Sequence, residues 1–101
     1  MRKIVSRTAN NEITLDNLKF IEGQFIVCRN TNNGNPYLLI QGYDNDRNIF
    51  YRWLDISSGV LSNGGEHNTI QEACEGSIDA SDFYFYVLNN TEFIEFLVGK
   101  I

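Results

Sequence analysis

Residues 36–56, PYLLIQGYDNDRNIFYRWLDI, constrain the fold more than any other stretch. Two runs rich in aromatic and aliphatic side chains, 37–43 and 48–55, flank the polar loop Asp44-Asn45-Asp46-Arg47. Residues of that kind tolerate turn dihedrals and hydrogen-bond their own backbone. Two β-prone runs joined by a short polar loop predict an antiparallel hairpin. Leu38 and Ile40 alternate with Tyr37, Leu39 and Gln41, while Ile49, Tyr51 and Trp53 alternate with Phe50, Arg52 and Leu54. Both faces carry apolar side chains, so the hairpin belongs at the centre of a sheet with one face under helices and the other partly wet.

The flanking sequence extends the pattern. Residues 24–29 (QFIVCR) are continuous in strand formers, and the linking NTNNGN holds Asn33-Gly34, a pair suited to positive φ. Pro36 fits the first position of a strand. The expected result is a meander of residues 24–29, 37–43 and 48–56, with a short continuation near Gly59-Val60-Leu61. Residues 2–8 read as an edge strand or an arm, and 13–21, with Leu15, Leu18 and Ile21 at every third place, as a helical turn or irregular segment. Downstream, Thr69-Ile70-Gln71-Glu72 is a capping box ahead of a helix that buries Ile70, Ala73 and Cys74 and stops at Gly76. Residues 83–88 (FYFYVL) form another strand, paired with the meander. A last helix, capped by Asn90 or Thr91 and anchored by Phe93 and Leu97, ends at Gly99. Trp53 is expected in the core. The chain of 101 residues then makes one α+β domain: an antiparallel β-meander followed by helix–strand–helix, with both helices packed on one sheet face.

Charge bounds the function. The formal net charge is −5, and after Arg52 eight acidic residues precede the next basic one, Lys100. Such a surface repels phosphate backbones, which argues against direct nucleic-acid binding; it serves as a solvated face that maintains solubility or, alternatively, attracts a basic protein partner. Glu66, Glu72, Glu75, Asp79 and Asp82 are the candidate partner-binding residues, since Glu72 and Glu75 lie opposite the apolar side of their helix and the others flank it. No apolar run is long enough to span a bilayer and no signal-peptide core follows Arg2-Lys3, so no membrane role and a cytoplasmic location are expected.

Catalytic chemistry finds no constellation. His67 has no neighbouring Cys or second His for zinc, and Gly64-Gly65 lacks the lysine of a phosphate loop. Cys28 and Cys74, each among apolar neighbours, read as buried thiols. No catalytic residue and no cofactor are expected. Asp44, Asp46, Asn48 and Asp55 copy part of a calcium-loop spacing, but Ile49 stands where glycine is required; they are the ligand set of an alternative, a divalent-cation or small-ligand domain. A homodimerising structural protein is the remaining alternative.

The segments Gly23-Gln24-Phe25-Ile26-Val27, Tyr37-Leu38-Leu39-Ile40, Tyr51-Arg52-Trp53-Leu54-Asp55, Ser58-Gly59, Thr69-Ile70-Gln71-Glu72-Ala73 and Asn90-Thr91-Glu92-Phe93-Ile94-Glu95-Phe96 together resemble the small acidic α+β proteins of phages and other mobile elements. Some of those proteins inhibit host defence enzymes. The resemblance implies a partner-binding inhibitor or accessory protein and brings no site residues with it.

Overall fold

The computed structural model describes residues 3–6, 13–14, 18–61, 65–76 and 83–101. Among them lie β1 (Lys3–Ser6), β2 (Ile13–Thr14), β3 (Gln24–Asn30), β4 (Pro36–Tyr43), β5 (Ile49–Asp55), β6 (Val60–Leu61), α1 (Ile70–Gly76), β7 (Phe83–Asn89) and α2 (Asn90–Leu97). The fold is α+β, and the strands form one sheet in the order β2-β1-β7-β3-β4-β5-β6.

The expected meander is β3-β4-β5, extended by β6. Its first loop turns where Gly34 takes φ 75°, while Asn30 Oδ1 accepts from the amides of Asn32 and Asn33. In the second, Asp44 Oδ1 accepts from Asp46 N and Asn48 N, both at 2.9 Å, and Arg47 takes φ 64°. Strand β7 pairs antiparallel with β3 along its whole length, from Gln24 opposite Asn89 to Asn30 opposite Phe83. On its other side β7 pairs in parallel with β1, Val5 lying opposite Tyr86. β1 is thus an interior strand, with β2 outside it, rather than an edge or an arm. Ile13 and Thr14 are strand and residues 18–21 are irregular, the second of the two forms expected there; residues 15–17 lie outside the described residues.

The two helices cover opposite faces of the sheet, which corrects the expectation that they share one. Successive side chains of a strand point to opposite faces. On β3, Ile26 and Cys28 join Leu39, Trp53, Phe85 and Val87 in a core closed by Ile70, Ala73 and Cys74 of α1 and by Leu18. Val27 belongs instead with Leu88 and with Phe96 of α2, packed by Phe25, Leu38, Ile56, Tyr86, Phe93 and Ile101. The cause is in the strands. QFIVC and FYFYVL are apolar at both parities, so each face of the sheet needs its own cover.

Helix α2 starts one residue earlier than the sequence implied. Asn89 is the cap: its Oδ1 accepts from Glu92 N at 2.8 Å, and Glu92 Oε1 accepts from Asn89 N at 3.1 Å. Asn89→Ala is expected to cost about 1 kcal/mol, read as a shift of the denaturation midpoint at unchanged slope. The helix turns its Phe93–Phe96 side inward. Phe93 stacks on Phe25 at 4.3 Å, and Arg29 lies over the Phe96 ring at 4.3 Å while Arg29 Nη2 donates to Phe96 O at 2.7 Å. Phe96 is fully buried, whereas Leu97, the expected anchor, is 47% exposed together with Ile94 and Val98.

Candidate interaction surface

Helix α1 is held from beneath. Ile70, Ala73 and Cys74 sit at i, i+3 and i+4 and are buried, so the opposite side of the helix must face outward. Trp53, fully buried on β5, donates from Nε1 to Ala73 O at 2.7 Å. That bond fixes the roll and depth of α1 against the sheet. At its start Thr69 Oγ1 accepts from Glu72 N at 3.0 Å, as the capping signature predicts. The return bond is displaced by one residue: Glu72 Oε2 accepts from Asn68 N at 3.2 Å, not from the cap's own amide.

Glu66, Glu72 and Glu75 are all exposed. Glu66 precedes His67, whose backbone exchanges two 2.8 Å hydrogen bonds with Tyr51 at the border of β5. Glu72 and Glu75 project from α1. Asp79 and Asp82 lie outside the described residues. The anchored helix and its entry loop thus hold three of the five sequence-derived acids.

The segment before β3 adds what the sequence did not reveal. Gln71 Nε2 reaches Leu18 O at 3.5 Å, and the Phe20 ring stacks on Tyr51 at 5.5 Å. This sets Leu18 against the acidic helix and Phe20, 37% exposed, on β5, with Ile21, 54% exposed, next in sequence. Lys19, also exposed, stands next to them. Phe20 and Ile21 thus form an exposed apolar pair with charged neighbours. No local signal pointed to it, because the link from residues 18–21 to α1 and β5 is tertiary.

The four oxygen-bearing residues of the cation reading do not converge. Asp44 and Asn48 sit at the Tyr43–Ile49 end of the hairpin, and Asp55 sits opposite Tyr37 at the other end. Six residues of extended strand separate those ends by ~20 Å. Both outer members are also engaged as turn formers: Asp44 Oδ1 as above, and Asp55 Oδ1 by Ser57 N at 2.9 Å. Asp44 and Asp55 thus cap two separate turns at opposite ends of the hairpin. Among the described residues no three His, Cys, Asp or Glu side chains group as metal ligands. Cys28 and Cys74 are buried cysteines on the same face. Tyr37, beside Asp55, has its phenol pushed above its ordinary range, first by burial and then by that carboxylate.

No helix among the described residues is long and apolar enough to cross a membrane. Comparison of the chain with protein-family models, with curated proteins and with solved structures finds no match.

Proposed function

We propose that this chain is a non-enzymatic protein-binding module that engages a basic surface of its partner through the outer face of α1. The observation that carries the reading is the fixed helix: its apolar side is locked down by Trp53, and its other side presents Glu72 and Glu75 with Glu66 alongside. Phe20 and Ile21 supply apolar contact. The resemblance to mobile-element proteins favours a host protein that handles nucleic acid, because such proteins carry the basic surface that an acidic module complements. An inhibitor acting by occupation of that surface needs no catalytic group.

The test uses Glu66→Lys with Glu75→Lys. Glu72 is left alone because it accepts the Asn68 amide, and a lysine in its place costs about 1 kcal/mol of helix stability. The wild-type chain is expected to retain a bacterial partner at low salt and to release it as salt rises. The double variant should fold normally and associate with that partner roughly tenfold more slowly, with a smaller change in dissociation. Salt-independent capture, or an unchanged association rate, would remove the electrostatic basis of the reading.

A second reading, a homodimer, has its own observation in the outward stripe Ile94, Leu97 and Val98 on α2. A molecular mass that doubles with concentration would favour it.

A further inference from the structure

We propose that Asn33 is a site of spontaneous modification, where the Gly34 amide converts the asparagine to aspartate and isoaspartate. In this reaction the Gly34 nitrogen gives its proton to solvent base and bonds to Cγ of Asn33. The Cγ–Nδ2 bond then breaks, and ammonia leaves. Water opens the resulting cyclic imide at either carbonyl, so the net change is asparagine plus water to aspartate or isoaspartate plus ammonia.

Three features of the loop between β3 and β4 bear on the rate. Asn33 is exposed, and a side-chain carbon placed on Gly34 would meet nothing within 4 Å, so the ring and the attacking water have room. Asn33 Oδ1 accepts from Asn35 N at 2.9 Å. That donor draws the carboxamide along the chain across the Gly34 peptide and offsets the negative charge that builds on Oδ1 as the nitrogen adds. Against these, Gly34 N donates to Asn30 O at 2.9 Å, and that bond must open before attack. One exposed hydrogen bond slows the reaction by at most about tenfold relative to a free peptide.

The product reaches beyond the loop. Gly34 O accepts from Arg29 Nη1 at 2.8 Å, and the same guanidinium holds Phe96 O. Isoaspartate inserts one methylene into the main chain just before Gly34 and shifts that carbonyl away from Arg29. Aspartate leaves the main chain unaltered.

The folded protein and a synthetic peptide of residues 30–47 are to be incubated side by side at mildly alkaline pH. The tryptic fragment of the same residues is then scored for the mass gain of replacing NH by O, localised by fragmentation. Conversion at Asn33 within about tenfold of the peptide rate is expected, absent in Asn33→Ser. The sequence holds a second such pair, Asn63-Gly64, on a different tryptic fragment. A folded-state rate more than about tenfold below the peptide's, or a gain confined to Asn63, would overturn the proposal.

Discussion

Trp53→Ala is expected to lower the unfolding free energy by about 3–5 kcal/mol, a large share of the roughly 5–15 kcal/mol that a domain usually has. Two losses combine at this position. The indole is fully buried among Ile26, Cys28, Leu39 and Phe85, with the Phe85 ring 5.9 Å away, so truncation leaves a cavity that a close-packed sheet face cannot fill. The Ala73 carbonyl also loses its donor where water cannot replace it. Trp53→Phe separates the two effects. It keeps an aromatic ring in place and removes the Nε1 bond, and it should cost about 1–3 kcal/mol. Chemical denaturation followed by circular dichroism measures both variants. A Trp53→Ala midpoint near that of the wild type would mean that α1 is not seated on this side chain. The acidic face would then have no fixed support.

The second large effect is expected at Phe96, on the other side of the sheet. Phe96→Ala should cost about 3–5 kcal/mol. The ring fills the space between Val27, Leu88 and Tyr86, and it carries the stacked Arg29 guanidinium. Leu97→Ala, one residue further, should stay within about 0.5 kcal/mol because Leu97 faces outward. The pair of variants reads the roll of α2 directly. If Leu97→Ala proves the more damaging, the helix is rotated from the orientation described, and the outward stripe of Ile94, Leu97 and Val98 is part of the core.

The meander was legible because its turns announce themselves. Asn33-Gly34 and Asp44 to Arg47 form the loops that their chemistry implies, and the strands between them follow. The helix of residues 70–76 was legible for the same reason: Thr69 and Glu72 mark its start, and the spacing of Ile70, Ala73 and Cys74 names its inner side and hence the exposure of Glu72 and Glu75. What local pattern could not give is the assembly. Strand β1 pairs with β7 from the far end of the chain, and nothing in KIVS specifies a parallel neighbour. The two-sided apolar character of QFIVC was visible, but placing one helix on each face requires knowing that β3 and β7 are central. Phe96 and Leu97 are both apolar and adjacent in sequence, so either could face inward. The choice between them is made by Phe25, stacked on Phe93, and by Arg29, over Phe96, both on β3. Phe20 against Tyr51 was hidden for the same reason.

The central place of β7 also sets the order in which the molecule can be completed. During synthesis the β3-β4-β5 meander emerges with its turns already encoded. Yet the β3 edge that β7 will occupy stays open until the last strand has left the ribosome, a delay of some seconds at ordinary elongation rates. That edge is apolar on both faces, and unpaired strands of this kind recruit other chains. β1, made first, cannot cover it, since its own partner is β7. Sheet closure is therefore a late, long-range event that depends on the C-terminal segment. Truncation before residue 83 is expected to leave a meander that aggregates rather than a smaller stable domain.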